Sequence, residues 1–405
     1  MDAVGAVDAV DTVDAVVAGG GPAGSVAALV LAAAGRRVLL LDPGGRPAQP
    51  AGRGAFRIGE SLPPAARPLL RDLGLLDGFL AAGHPASTGT YAAWGAPALH
   101  GISHLFDPYG HGWHLDRLRF DAFLRDAAVA AGAELRRAAL LARSGDRLTI
   151  RQNGSVAELR TRWTVDATGR SCAIGRRLGR RHRQDRLVAV YAVLPRRPAA
   201  DGTGPRDAEA RTLVEAAPHG WWYTTPVPAG RLVAHLTDPD LAAPALRTPQ
   251  GFWHGATRTD HVRRRLAGYD PAATPVPRWT PAHGVRLAPA AGPGWLAAGD
   301  AALAFDPLSS QGILTALHTG ARAGQTVAAC LAAPARTAAV LADYTAFLDG
   351  VADAYRRNHA YAYDQERRWP SSPFWRRRRS SGPNGETSAD LPEARPERER
   401  PHSDG

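Results

Sequence analysis

Lysine is absent from the sequence, so arginine supplies every permanent positive side-chain charge. The 49 basic residues outnumber the 38 acidic ones, which gives a formal net charge of +11 at pH 7. Such a charge can indicate nucleic-acid binding. However, the arginines are scattered along the chain, and a coding bias against lysine would give the same composition. We therefore expect no nucleic-acid partner.

Cysteine is almost as scarce, with Cys172 and Cys330 far apart and in no metal-ligand spacing. This excludes a disulfide scaffold and suits a reducing cytoplasm. Five histidines crowd one loop region: His84, His100, His104, His111 and His114. Because no carboxylate or cysteine accompanies them at ligand spacing, we predict no metal site.

Long hydrophobic runs are also missing. The most apolar run, residues 26–34, has about half the length that a membrane-spanning helix needs. The first residues, MDAVGAVDAVDTVD, are acidic and lack the basic start of a signal peptide. We therefore expect no membrane span and a cytoplasmic location.

A glycine-rich turn lies near the start of the chain. Residues 13–18 predict a buried strand, residues 25–34 a helix and residues 37–41 a second strand, with GxGxxG after the first strand. This order is the βαβ unit of dinucleotide-binding folds, in which phosphates meet the N–H groups at a helix start and an acid binds ribose. The predicted cofactor contacts here are Gly19, Gly21, Pro22, Ala23, Gly24, Ser25 and Asp42.

A second motif, residues 295–313 (WLAAGDAALAFDPLSSQGI), leads from a short strand into an alanine-rich helix over residues 312–331. Together with the first motif, it resembles the para-hydroxybenzoate-hydroxylase-like flavoproteins, which include aromatic hydroxylases, flavin-dependent halogenases and geranylgeranyl-reductase-like enzymes. The resemblance implies that the dinucleotide is FAD. It also implies that Asp300 binds the ribityl chain and that a turn next to the flavin contains Pro307, Gly312 and Ile313.

Three shorter segments resemble the same superfamily. Residues 114–124 (HLDRLRFDAFL) resemble its early helix, which implies that Arg117 reaches FAD above an aspartate. Residues 166–170 (DATGR) resemble the segment that closes the FAD domain and place Gly169 at the cofactor. Residues 57–64 (RIGESLPP) resemble the GES-x-x-P element of halogenases and related monooxygenases. This implies that Gly59 and Ser61 lie near the isoalloxazine.

The motifs and the chain length predict an α/β fold. A Rossmann-like FAD-binding domain of the glutathione-reductase type is expected over residues 13–184 and 286–335. Strand-like runs between proline-rich turns predict a second, mainly antiparallel substrate domain over residues 185–285. We expect a C-terminal helical segment over residues 336–375 and a disordered tail over residues 376–405, which is too polar to bury a core.

Helical periodicity also predicts helices over residues 65–82, 118–131 and 341–357. If Trp221, Trp222 and Tyr223 lie on a strand, Trp221 and Tyr223 share one face. That face either shapes an aromatic pocket or fills the core.

Halogenases carry a lysine after GES-x-x-P and a Trp-x-Trp-x-Ile-Pro element. This chain has no lysine, and residues 220–226 (GWWYTTP) keep only part of the second element. Because arginine does not give up a proton near neutral pH, it is a poor substitute for that lysine. The resemblance is closer to the LodB, GoxB and QhpG type of flavoprotein, which hydroxylates a tryptophan in a partner protein. It rests on GES-x-x-P, GWWY, DPLSSQG and residues 366–375 (ERRWPSSPFW).

These resemblances imply an FAD-dependent monooxygenase that hydroxylates an aromatic small molecule or a protein-bound tryptophan with molecular oxygen. Electrons would come from NAD(P)H, either directly or through a separate flavin reductase. The pocket candidates are Trp221, Tyr223, His114 and Ser310, and no catalytic residue is assigned. A halogenase, a geranylgeranyl-reductase-like flavin reductase and a flavin-binding protein without enzymatic activity remain alternatives.

Overall fold

The computed structural model describes residues 12–44, 56, 58–195 and 209–379. The α-helices within them are α1 (Pro22–Ala33), α2 (Ala66–Asp72), α3 (Leu76–Ala81), α4 (Arg117–Ala130), α5 (Gly175–Leu178), α6 (Pro249–Thr257), α7 (His261–Arg265), α8 (Gly312–Ala332), α9 (Thr337–Gln365) and α10 (Pro373–Arg379). None of the helices in these ranges is long and apolar enough to cross a membrane.

The strands of the same residues are β1 (Thr12–Ala18), β2 (Val38–Leu41), β3 (Ser61–Leu62), β4 (Ala86–Ser87), β5 (Gly89–Ala93), β6 (His100–Ser103), β7 (Gly112–His114), β8 (Glu134–Arg136), β9 (Ala138–Ser144), β10 (Arg147–Gln152), β11 (Ser155–Asp166), β12 (Arg180–Arg183), β13 (Val188–Leu194), β14 (Thr212–Ala217), β15 (Gly220–Val227), β16 (Gly230–Thr237), β17 (Arg278–Pro281), β18 (Val285–Ala288), β19 (Ala291–Gly292), β20 (Trp295–Ala297) and β21 (Leu303–Ala304).

An eight-stranded sheet carries the first motif. Its main path runs β19-β20-β11-β1-β2-β8, and β10 and β9 extend it from β11. Strand β1 is parallel to both β2 and β11, and the last residues of the central strands, Ala18, Leu41, Asp166 and Ala297, lie in register. The carboxyl ends of these parallel strands therefore form one edge, where such folds bind dinucleotides.

Helices α1 and α8 pack closely because glycines of α8 face α1. A side chain at Gly320 would overlap the carbonyl of Ala23, and one at Gly324 would meet the carbonyl of Ala27. Small residues at a helix contact let two backbones approach each other. This contact fixes the helix of the second motif against the helix of the first.

A second large sheet has seven strands, in the order β17-β13-β16-β15-β14-β5-β6. Its pairs are antiparallel except for β14 with β5. The predicted α/β fold with a mainly antiparallel second sheet is confirmed. Strands β5 and β6 join this sheet although they precede residues 185–285, and the proposed division into domains stays a prediction.

Two local expectations need correction. The helix predicted over residues 65–82 is broken into α2 and α3, because Gly74 between them has a left-handed φ of +68°. Helix α10 runs to Arg379, past the predicted start of the tail at residue 376. It continues because Arg378 is buried and donates two hydrogen bonds to Asp238. Residues 380–405 lie outside the described ranges.

Candidate flavin-binding and substrate site

The three motif glycines of the first turn, Gly19, Gly21 and Gly24, have different surroundings. Gly19 has a φ of +108°, and a side chain there would overlap the carbonyl of Ala167. A side chain at Gly24 would overlap the carbonyl oxygen of Gly19. At Gly21, by contrast, no atom of the described residues lies within 4 Å of an added Cβ. Two glycines therefore permit packing, and Gly21 leaves open space at the start of α1, where a phosphate group binds favourably.

Asp42 is fixed beside this turn. Its Oδ1 accepts a hydrogen bond from the Gly44 N–H (3.0 Å), and its Oδ2 accepts one from Arg125 Nη1 (3.2 Å). Arg125 also donates to the carbonyl oxygen of Gly20 (3.1 Å). Sequence reasoning did not find Arg125, which lies on α4 far from the turn along the chain. Its position ties the predicted ribose acid to the predicted phosphate turn.

The second motif reaches the same edge of the sheet. The Gly299 N–H donates to Thr319 Oγ1 (2.9 Å), and a side chain at Gly299 would meet Ala23 of α1. The carboxylate of Asp300 lies 3.6 Å from Arg170 Nε, and the Asp300 side chain is 38% exposed. A ligand can therefore reach Asp300, as its predicted role requires. Arg170 belongs to the DATGR segment but was given no role from the sequence.

Asp166 of that segment has a structural role. It is fully buried, and its Oδ1 accepts hydrogen bonds from the N–H and hydroxyl of Thr168. Its Oδ2 accepts hydrogen bonds from the N–H groups of Ile174 and Gly175, both at 2.8 Å. The carboxylate thereby holds the loop that presents Gly169, whose Cβ position faces open space.

Arg117 connects the GES segment to α4. Its Nη1 donates to the carbonyl oxygen of Gly59 (2.7 Å), and its Nε donates to Asp121 Oδ1 (3.1 Å). Ser61 lies on β3, opposite His114 on β7. The predicted Arg117–aspartate pair is therefore present and positions Gly59. The predicted contact of Arg117 with FAD stays a prediction, because much of the guanidinium is engaged by protein atoms.

Glu60 stands between these two GES residues and was not assigned a role from the sequence. It is 3% exposed, and its Oε2 accepts a hydrogen bond from the Gly59 N–H (2.9 Å). The Tyr223 hydroxyl donates to Glu60 Oε1 at 3.4 Å. Burial raises the pKa of Glu60, and burial together with the Glu60 charge raises the pKa of Tyr223. The sequence signal for Glu60 was a charged residue between two small residues, Gly59 and Ser61.

The two faces of the seven-stranded sheet differ, as the alternation predicted. Trp222 packs against Phe252 of α6 on one face. Trp221 and Tyr223 lie in a buried cluster on the other face, which we call the aromatic face. This face also contains Tyr191, and it packs against Ile58 and Leu308 from the GES segment and the second motif. It therefore joins the two segments that are predicted to lie near the flavin.

The other two pocket candidates are placed differently. His114 is buried, with Nε2 2.7 Å from the Ala210 carbonyl oxygen and Nδ1 3.1 Å from Thr225 Oγ1. Burial lowers its pKa, which favours the neutral ring. Nδ1 thus connects β7 with β15, and Nε2 connects β7 with the segment before β14. Ser310 has a left-handed φ of +51° and ends the turn that starts at Pro307.

Asp306, which precedes that turn, is 1% exposed. Its Oδ1 accepts a hydrogen bond from the Leu308 N–H (2.8 Å), and its Oδ2 accepts one from Tyr363 OH (2.7 Å). Ligand-type atoms of Asp185, Asp306 and His359 lie within 4.8 Å of one another. Because Asp306 already accepts these hydrogen bonds, we interpret the group as a hydrogen-bonded cluster. The absence of a metal site stays a prediction.

These observations fit FAD. The open position at Gly21 lies at the start of α1, and the exposed Asp300 lies at the same sheet edge. Within the described part of the chain, Gly312 at the start of α8 also has no atom within 4 Å of an added Cβ. A long dinucleotide needs several such open backbone positions along one edge.

Comparison with known proteins decides the family. A family model described as "FAD binding domain" matches residues 12–355. The chain belongs to this family of FAD-binding proteins. The FAD-dependent oxidoreductase LodB of Marinomonas mediterranea is 27% identical over 387 residues, which cover 90% of this chain and 96% of LodB. The predicted relationship to LodB-like, halogenase-related flavoproteins is confirmed, and the chain is an FAD-dependent oxidoreductase.

Two solved structures support the fold. The myxobacterial chondrochloren halogenase CndH has 25% identity and a TM-score of 0.76, and the match covers 92% of this chain and 87% of CndH. The peptidyl tryptophan dihydroxylase QhpG has 22% identity and a TM-score of 0.73, with 91% of this chain and 79% of QhpG covered. Halogenases and a hydroxylase thus share this architecture, so the fold alone does not select the reaction.

Proposed function

We propose that this FAD-dependent oxidoreductase is a monooxygenase that hydroxylates an aromatic substrate. The observation that carries the proposal is the aromatic face, with Tyr191, Trp221 and Tyr223, beside the GES segment and the second motif. Aromatic rings bind other aromatic rings favourably and exclude water from the space that they line. A flat, electron-rich substrate would therefore suit the part of this face at Tyr191 and Tyr223, which are 8% and 9% exposed, whereas Trp221 is 1% exposed and packs in the core.

The absence of lysine from the sequence is the argument against halogenation. The halogenases that the GES-x-x-P element resembles use a lysine to engage hypohalous acid, and the sequence has none. Arginine does not act as an adaptable proton donor near neutral pH. Halogenation stays the second candidate, because CndH has the same fold.

FAD would supply the oxygen chemistry when bound. The N–H groups at the start of α1 and the open position at Gly21 would hold its phosphates, and Asp42 and Asp300 its hydroxyl groups. Arg117 would keep Gly59 in place. Glu60 Oε1, which accepts the Tyr223 hydroxyl, is the atom best placed to hold a proton beside the aromatic face.

The substrate is proposed to be an aromatic small molecule or a tryptophan within a partner protein. Electrons would come from NAD(P)H, either directly or through a separate flavin reductase. The predicted cytoplasmic location stays a prediction. A neighbouring gene for an amine-oxidase or quinone-cofactor subunit would favour the protein-bound tryptophan.

The test combines oxygen consumption with product mass. Purified protein with FAD is given NADH or NADPH, with and without an added flavin reductase, and a panel of phenols, indoles and tryptophan peptides. We expect substrate-dependent oxygen consumption and a product that carries one oxygen atom from isotope-labelled oxygen. A product that carries chlorine or bromine, depending on the halide supplied, would establish the halogenase instead.

Glu60→Gln tests the proton-holding role. The amide keeps the shape of the side chain but cannot take up the proton, so we expect product formation to fall about a hundredfold with FAD content unchanged. Glu158→Gln is the matched control, because Glu158 is exposed on β11. Unchanged product formation in Glu60→Gln would remove Glu60 from the proposal and leave the monooxygenase reading intact.

A further inference from the structure

We infer that helix α9 is part of the FAD site: Tyr355, His359 and Tyr363 position the flavin-facing turn by holding Asp306. Two of these residues, His359 and Tyr363, lie beyond residue 355, where the match to the family model ends. The inference rests on FAD binding and is independent of whether the enzyme hydroxylates or halogenates.

The three residues stand four positions apart, so they share one face of α9. The Asp306 N–H donates to Tyr355 OH (3.0 Å). His359 Nε2 lies 3.3 Å from Asp306 Oδ2, and Tyr363 OH donates to the same oxygen at 2.7 Å. The preceding ring, Phe305, stacks on Tyr355 with centroids 4.1 Å apart. The helix therefore holds Asp306 through its backbone, its carboxylate and its neighbouring ring.

Asp306 also fixes the conformation of the turn that follows it. Its Oδ1 accepts the Leu308 N–H, which caps the short helical turn Pro307–Ser309. Ser310 then takes its left-handed conformation, and α8 starts at Gly312. A rotation of the Asp306 side chain would break the cap and shift the residues that are predicted to face the flavin.

The same tyrosine reaches the aromatic face. Trp221 Nε1 donates to the Tyr363 hydroxyl at 3.0 Å, while that hydroxyl donates to Asp306. Tyr363 is fully buried, so water does not replace either bond when it is lost. One hydroxyl group thus connects the proposed substrate surface to the proposed flavin turn. This arrangement explains why α9 places the polar groups of Tyr355, His359 and Tyr363 in a region that aromatic packing alone would stabilise.

Substitutions on α9 test the inference through the flavin itself. Tyr363→Phe removes the hydroxyl with little change of shape, and His359→Ala removes the second donor. For both holoproteins we expect a shifted flavin absorption spectrum, a changed reduction potential and a dissociation constant for FAD that is raised about tenfold or more. His359→Gln retains a donor at similar reach and should restore most of the wild-type values.

Tyr361→Phe is the matched control. Tyr361 lies two residues from Tyr363 on the same helix but is 69% exposed, so all readouts should match the wild type. The melting temperature of each protein without FAD separates positioning from packing. Variants at positions 359 and 363 that melt at a lower temperature, but retain the wild-type flavin spectrum, potential and affinity, would overturn the inference.

Discussion

The two turns that are predicted to contact FAD are held in place by different means. The turn from Gly19 to Gly24 depends on the lack of side chains, because its backbone packs directly against the Ala167 carbonyl. The turn that follows Asp306 depends on buried polar side chains from α9. The glycines that the first turn requires therefore lie within six consecutive residues, whereas the polar side chains that hold the second turn lie 49 to 57 positions further along the chain.

The largest effect is expected from Gly24→Ala. The new methyl group would overlap the carbonyl oxygen of Gly19, and backbone cannot move aside as a flexible side chain can. We expect a loss of about 3 kcal/mol or more of folding free energy, with little folded, FAD-loaded protein. Thermal unfolding and FAD content after purification measure this.

Gly350→Ala provides the control for that experiment. Gly350 lies within α9, and none of the residues described by the structure has an atom within 4 Å of its added Cβ. Alanine there should be neutral or should stabilise the protein by up to about 1 kcal/mol. If Gly24→Ala folds with a normal FAD content, the packing explanation of the first turn is wrong.

Gly21→Ala separates ligand approach from packing within the same turn. Its methyl group meets no atom of residues 12–44, 56, 58–195 and 209–379 within 4 Å, so the protein without FAD should melt within a few degrees of the wild type. The same methyl group would occupy the space predicted for a phosphate, so the dissociation constant for FAD should rise about tenfold or more. Titration of the protein with FAD checks this. Unchanged affinity would mean that phosphate does not approach at Gly21.

The comparison also explains which features the sequence predicted. The βαβ unit, the start of α8 at Gly312 and the two faces around Trp222 depend on local spacing, and each was predicted. Arg125 was missed because its contact with Asp42 spans 83 residues.

The three residues of α9 that hold Asp306 do form a pattern in the sequence, since Tyr355, His359 and Tyr363 repeat every four residues. Nothing in the sequence identified Asp306 as their common partner, because that contact depends on how α9 packs. Similarly, the break at Gly74 was missed because one glycine within an apolar pattern does not reveal its φ angle. Prediction therefore succeeded where motif spacing along the chain decides the structure, and it failed at one glycine with a left-handed backbone and where distant polar side chains meet.

The smallest effect is expected at Asp185, beside the second turn. Its Oδ1 accepts the Leu187 N–H (3.0 Å), whereas its buried Oδ2 has no hydrogen-bond partner among the residues that the structure describes. Burial and the Asp306 charge raise the pKa of Asp185, while the positive charge of Arg378 and, more weakly, His359 lower it. An acid whose pKa is raised by folding binds its proton more tightly in the folded state, so it reduces stability as the pH rises above the ordinary aspartate pKa.

Asp185→Asn removes this ionisation and supplies an N–H donor that faces Asp306. We expect the variant to be more stable than the wild type by about 1 kcal/mol at pH 8 and to differ little at pH 4. Thermal unfolding at the two pH values measures the difference, with the exposed Asp364→Asn on α9 as the control. Because burial is the main cause of the raised pKa of Asp185 and the Asp306 charge is a smaller one, the pH-dependent gain should become smaller, but should remain, when Asp306→Asn is combined with Asp185→Asn. A gain of equal size at both pH values would show that the effect comes from the new hydrogen bond and not from the ionisation of Asp185.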